Sequence, residues 1–190
     1  MGDATHLHGD HFGGLPFLIL DGQFCRRSTP LQVAGPPGLR ARLAEAMETP
    51  FPGSSQVPQR FPVEITELRT DGKPAGLGAA TVRGWEVEHA CGAPPLGLRV
   101  ELGSVNFAYS GDSQWTPALA KAAYGADLFA VEAYTFDRPV RYHLDYQTLR
   151  AHLGEIRAQR IVLTHMSAAM LTRLADAGMP AAYDGMILDL

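Results

Sequence analysis

The sequence predicts an α/β fold in which a mixed sheet is covered by helices. Two observations carry this. Strand-like segments follow one another from residue 63 to residue 109, and helix and strand then alternate as far as residue 177. A third observation, 46% hydrophobic residues in a chain of 190, suits a single domain over residues 1–190 with a sizeable core.

Element by element, residues 13–24 read as a short helix built on the apolar run from Leu15 to Leu20. Residues 31–34 are a strand, ended by Gly35-Pro36-Pro37-Gly38. Leu39 and Leu43 stand at i, i+4 and predict a helix over 39–47. Residues 49–60, rich in Pro, Gly and Ser, are a surface loop. The period then changes. Residues 63–68 alternate apolar and polar, and 81–89, 98–102 and 105–109 give three further strands. Residues 116–124 are a helix with Pro117 in its first turn, where a missing N–H is harmless. A strand over 127–132, a helix over 146–157, a strand over 161–163, a helix over 167–177 and a last strand over 186–190 complete the chain.

Composition excludes some function classes. The net charge of -4 gives no overall pull toward nucleic acid. Arg26, Arg27, Arg40 and Arg42 form either a basic rim for a phosphate or plain solvated surface. Apolar runs are too short to span a bilayer, and the N-terminus lacks the charged-then-apolar pattern of a signal peptide. Two cysteines are too few for a disulfide framework, and Cys91 reads as a small buried thiol rather than a ligand. A cytoplasmic protein without a membrane partner is expected.

The densest chemistry lies in "THLHGDHFGGLP", residues 5–16. His6, His8, Asp10 and His11 place four ligand-type side chains within six positions. In extended chain His6 and His8 point the same way, and Gly9 lets the backbone turn before Asp10. Neutral imidazoles with a carboxylate suit zinc or a similar first-row ion. Such a site needs ligands from elsewhere. His89, Asp112 and His165 each follow an apolar strand, where loops carry functional groups on a rigid scaffold.

The stretches "THLHGDHFGGL", "EVEHACGAPPLGLRV", "FAYSGDS" and "IVLTHMS" occur in the order found in metallo-β-lactamase-fold hydrolases. Within these the chain resembles the ribonuclease Z branch and its short relatives, which include cyclic phosphodiesterases. The resemblance implies a metallo-β-lactamase-like αββα sandwich and two divalent metal ions, with zinc as the default and manganese or iron as alternatives. His6, His8 and His89 would bind one metal. Asp10, His11 and His165 would bind the other, and Asp112 would bridge them. Two metals about 3.5–4 Å apart hold a bridging hydroxide and stabilise attacking and leaving oxygens; Asp10 would also orient that hydroxide. Glu132 and His143 match residues that assist the leaving group in that branch, so His143 is a candidate proton donor or phosphate contact, the alternative being an exposed loop histidine. Tyr134, Phe136 and Tyr142 line a substrate mouth or, preferably, pack in the core. His152 reads as a surface residue without a partner.

The chain departs from the family in three places. Val131 stands where the branch has a histidine, and Leu144-Asp145 where it has Ser-Thr. The long Gly- and Pro-rich arm that grips tRNA has no counterpart, since residues 103–105 form only a turn. Strands that the family places before the first motif are missing, which predicts an N-terminally truncated domain with an uncovered sheet face and a tendency to homo-oligomerise. The resulting expectation is a hydrolase of a small-molecule or nucleotide phosphodiester, with tRNA less favoured. A carboxylic ester, lactone or thioester hydrolase is the alternative, and an inactive fragment another. Flavin-linked oxygen chemistry ranks low, because it needs a carboxylate where this chain has His8.

Overall fold

The computed structural model describes residues 2–190, which form two sheets packed face to face with helices on both outer sides. The first sheet is parallel, in the order β1 (Gly2–Asp3), β2 (Leu31–Gly35), β3 (Val63–Glu67). The second has six strands in chain order: β4 (Ala75–Leu77), β5 (Ala80–Glu86), β6 (Leu96–Leu102), β7 (Val105–Tyr109), β8 (Leu128–Glu132) and β9 (Arg160–Thr164). It is antiparallel up to β7 and parallel from β7 to β9. The helices are α1 (Gly9–Phe12), α2 (Leu15–Phe24), α3 (Leu39–Glu48), α4 (Pro117–Ala123), α5 (Tyr146–His152), α6 (Ala168–Leu171) and α7 (Leu174–Ala177).

Strand alternation decides the layers. In β2, Leu31 and Val33 point outward and join Ile19 of α2 and Leu39, Leu43 and Met47 of α3. Ala34 points the other way, into a layer between the sheets with Leu68, Leu77, Val82, Leu96 and Leu98. Behind the second sheet, Ala108, Phe129, Val131 and Leu163 meet Leu119 of α4, Leu149 of α5 and Met170 of α6. Each large aliphatic or aromatic side chain buried in these layers stabilises the fold by about 1.5–3 kcal/mol. Capping fixes the helix starts. Thr116 accepts from Ala118 N, Asp145 from Thr148 N, and Ser167 from Met170 N.

The α/β class and the order of elements agree with the sequence reading, and several particulars differ. Strand β4 was not predicted; three residues with a glycine at their centre carry too little pattern. The predicted strand over 81–89 ends at Glu86, leaving His89 in a loop. The helix over 146–157 stops at His152 and continues as a short 3-10 turn, and that over 167–177 breaks at Thr172 and Arg173. Thr172 Oγ1 there bonds back to the Ala169 carbonyl, and Arg173 turns toward Asp137. The predicted closing strand over 186–190 is not formed. Leu163 bridges Ala181 instead, and Ile187 is 87% exposed, so those apolar residues find no sheet edge. Beside β1, Leu98, Val100, Val105, Phe107 and Tyr109 of β6 and β7, with Asp3, line a groove of about 480 Å³.

Candidate metal centre

The ligand-type residues converge at one end of the sandwich. His6 and His8 follow β1, and Asp10 and His11 lie in α1, whose first turn starts from His8. Backbone bonds thread this segment between the sheets: Ala4 N donates to Ala34 O at 2.9 Å and Leu96 N to Thr5 O at 2.8 Å. His89 lies three residues beyond β5. Asp112 follows β7, Glu132 is the last residue of β8, and His165 follows β9 directly, with a left-handed φ of 50°. Gly111, at φ 61°, lets the loop before Asp112 approach the first motif; a Cβ there would stand 2.8 Å from Thr5 Cβ.

Two sets of donors result. In the first, His6, His8 and His89 each offer a nitrogen within 4.8 Å of the others. His89 Nδ1 donates to the Tyr142 carbonyl at 3.0 Å, so in the neutral ring Nε2 carries the lone pair, facing His8 Nδ1 at 3.2 Å. His6 Nδ1 is hydrogen-bonded to Thr5 Oγ1 at 3.1 Å, which turns Nε2 toward the set. The second set centres on Asp112, whose Oδ2 lies 3.4 Å from His11 Nε2, 3.4 Å from His165 Nε2 and 4.0 Å from His6 Nε2. Asp112 thus touches both.

A cation fits this donor set. His6 Nε2 and Asp112 Oδ1 are buried and lack a hydrogen-bond partner among the described residues. Buried polar atoms are rarely left so, because each unmade bond costs about 1–3 kcal/mol. Burial, followed by the charge of His11, pushes His6 down to about 3, so it presents a neutral imidazole. Burial alone would raise Asp112, but its bond with His11 and the charges of His165, His11 and His6 outweigh that and bring it to about 2. A neutral imidazole beside an ionised carboxylate is the form in which these two groups bind metal.

Behind Asp112 sits a second arrangement. Glu132 is fully buried, and its Oε2 accepts from Ser113 N at 2.9 Å and Leu144 N at 3.1 Å. Its Oε1 accepts from His143 Nδ1 at 2.6 Å and His165 Nδ1 at 2.8 Å. One carboxylate therefore orients a candidate ligand and a histidine beside it. The Glu132 bond, against burial and with the charges of Glu132 and Asp112, raises the His143 pKa. Tyr134 stacks on the His143 ring at 4.6 Å.

Of the residues predicted from sequence, His6, His8, His11, His89, Asp112, Glu132, His143 and His165 are brought together. Asp10 is at the rim, its carboxylate 74% exposed and 3.5 Å from His11 Nε2. Cys91 is half-buried and bonds the Ala93 carbonyl, and Cys25 is exposed. Phe136 is a core residue with Arg173 over its ring, whereas Tyr134 and Tyr142 border the centre. Three of the four arginines lie apart: Arg27 bonds the Thr29 and Pro30 carbonyls, Arg40 bonds Ile65 O, and Arg42 shares a groove with His8. His152 does have partners, contrary to expectation, stacking on Trp115 at 4.2 Å and bonding Glu155. Sequence reasoning missed Thr5, Ser113, Gln114 and the Tyr142 carbonyl. Backbone groups leave no signal in side-chain spacing, and Thr5 was visible only as a neighbour of His6.

The chain is similar to known proteins along most of its length. A family model described as a beta-lactamase superfamily domain matches residues 4–166. The ribonuclease Z of Mycobacterium marinum (strain ATCC BAA-535 / M) is 27% identical over 196 residues, covering 90% of this chain and 69% of that protein. That of Shouchella clausii (strain KSM-K16) is 44% identical over 64 residues, 34% of this chain and 19% of that protein. Among solved structures, the short form of human tRNase Z superposes with a TM-score of 0.74 at 24% identity, over 98% of this chain and 77% of that one.

Proposed function

This chain belongs to the beta-lactamase superfamily, and from that premise we propose that it is a dinuclear metal-dependent hydrolase of phosphodiester bonds. One observation carries the reading: Asp112 is shared between the histidine set of His6, His8 and His89 and that of His11 and His165, with its Oδ1 and His6 Nε2 left without hydrogen-bond partners among the described residues. Two divalent ions held there would activate water and draw charge from the ester oxygens. Zinc fits the imidazole-rich donors, and manganese or iron accept similar ones. Asp10, at the rim beside His11, would complete the second set by turning inward. The ribonuclease Z relatives support a phosphodiester substrate over other esters.

The chain supplies the proton for the leaving group. His143, with Nδ1 fixed by Glu132 and its ring flat against Tyr134, holds a proton more tightly than an ordinary imidazole. Its Nε2 proton passes to the departing ester oxygen, so the alcohol leaves neutral and His143 regains a proton from solvent. A positioned donor of this kind contributes typically about 10²–10⁴-fold in rate. Val131, buried in the core, supplies no donor to this site.

The test is elemental analysis of protein purified without chelator, followed by a nitrophenyl phosphodiester, a phosphomonoester, a lactone and a thioester. Close to two metals per chain and slow turnover of the diester are expected, with little of the monoester. Folded protein without metal would refute the reading, and turnover of the lactone or thioester alone would move it to carboxylic esters.

A further inference from the structure

We propose that Tyr142 and Gln114 are positioning residues for the His6, His8 and His89 set, acting through the backbone carbonyl of Tyr142. The inference rests on the two-metal reading for what that set binds, but the imidazole tautomer it predicts is measurable without metal.

Tyr142 has φ 69°, a left-handed conformation that is unusual for a bulky residue. It lies in the tight turn of residues 140–143, closed by His143 N donating to Val140 O at 3.0 Å. A turn position with positive φ ordinarily takes glycine or asparagine. Strain of this sort persists only where the surroundings hold it, and it points from the outlier to a use. The surroundings here are specific. Tyr142 N donates to Gln114 Oε1 at 3.3 Å, and Arg141 lies over the Tyr142 ring at 4.5 Å. The carbonyl between residues 142 and 143 then accepts from His89 Nδ1 at 3.0 Å.

A carbonyl can only accept. The contact therefore fixes His89 as the Nδ1–H tautomer and turns the lone pair of Nε2 toward His8 Nδ1. The next residue in the same turn is His143, whose ring is 5.1 Å from that of His89. Gln114 is tied in turn to the loop that carries His89, its backbone N donating to Glu88 O at 3.1 Å. One strained residue and one amide thus couple the ligand His89, the loop after Asp112 and the turn carrying the proton donor.

Four variants test this. Tyr142→Gly keeps the carbonyl and favours the positive φ, and Tyr142→Val, branched at Cβ, opposes it. Gln114→Glu keeps an accepting oxygen, and Gln114→Leu removes it. Long-range nitrogen NMR of the metal-free protein reads the His89 tautomer, and zinc titration against a chromophoric chelator reads each binding step. The parent, Tyr142→Gly and Gln114→Glu should show the Nδ1–H form. Tyr142→Val should lose it and weaken one of the two zinc steps by about 10–100-fold, the range for partners that orient a ligand; the other step stays as in the parent. Should Tyr142→Val fail to fold, Gln114→Leu, at an exposed position, carries the same comparison against Gln114→Glu. An Nε2–H tautomer at His89 in the parent overturns the proposal. So do unchanged zinc steps in Tyr142→Val and Gln114→Leu while the parent binds two ions. A parent that binds no zinc overturns the two-metal reading, and this inference with it.

Discussion

Glu132 holds His143 by a 2.6 Å bond from Nδ1, and the same oxygen takes His165 Nδ1 at 2.8 Å. With Ser113 N and Leu144 N on the other oxygen, four donors depend on one buried carboxylate. Glu132→Ala strands all four. At about 1–3 kcal/mol for each buried group left unpaired, and allowing for water entering the cavity, a loss of about 3 kcal/mol or more is expected. Urea unfolding of the metal-free protein measures it. Glu132→Gln keeps one accepting oxygen but sets an NH₂ against the donors, so it should recover only part. A loss below about 1 kcal/mol for Glu132→Ala would mean that this hub is not structural.

Because Asp112 touches both donor sets and His165 only one, the two variants should differ in kind. Asp112→Ala is expected to retain little metal at either position after gel filtration. His165→Ala is expected to keep close to one ion, held by His6, His8 and His89. Equal metal content in the two variants would contradict the shared role of Asp112. Added zinc should raise the melting temperature of the parent, since at 100 times the dissociation constant binding stabilises by about 2.7 kcal/mol.

Much of this centre was legible in the sequence, and the reason is local. His6, His8, Asp10 and His11 crowd into one turn, and His89, Asp112 and His165 each stand just past an apolar strand, so strand ends pointed to the site before any contact was known. Burial was not legible. Glu132 reads from sequence as a reacting group, yet it is enclosed and holds other residues in place. Asp10 reads as a ligand, yet it faces solvent beside His11. The same limit applies to the fold. Alternation in residues 63–68 marked β3, whereas the apolar residues at the C-terminus suggested a strand that has no edge to join.

Acid should destabilise the metal-free protein in two stages. His6 falls from its ordinary 6.5 to about 3 in the folded state, chiefly through burial. The folded protein thus prefers the neutral ring, so this stability is present above 6.5 and lost as pH falls from there toward 3. Asp112 falls from 3.8 to about 2, where its histidine partners outweigh burial, so its contribution is present above 3.8 and lost as pH drops toward 2. Urea midpoints in chelator should therefore decline below about pH 6.5 and more steeply below about pH 4. His6→Gln removes the first stage. If it declines as the parent does between about pH 6.5 and pH 5, His6 is not the group responsible.

Gly111 and Gly103 share a φ of 61° but not a neighbourhood. A Cβ on Gly103, in the turn from β6 to β7, meets nothing within 4 Å. A Cβ on Gly111 meets Thr5 Cβ at 2.8 Å and the Leu96 carbonyl at 3.0 Å. That carbonyl has little room to move, because Leu96 N is bonded to Thr5 O at 2.8 Å. Gly103→Ala should therefore cost only the left-handed backbone, about 1 kcal/mol. Gly111→Ala should add the cost of overpacking, about 1–3 kcal/mol more. The difference between the two isolates the close approach of the Asp112 loop to the first motif. It should carry over to metal: pushing residue 111 off Thr5 widens the 4.0 Å gap between His6 Nε2 and Asp112 Oδ2, so zinc affinity falls in Gly111→Ala and not in Gly103→Ala. Equal melting temperatures and zinc affinities in the two variants would show that the approach of the loops is not what holds Asp112 beside His6.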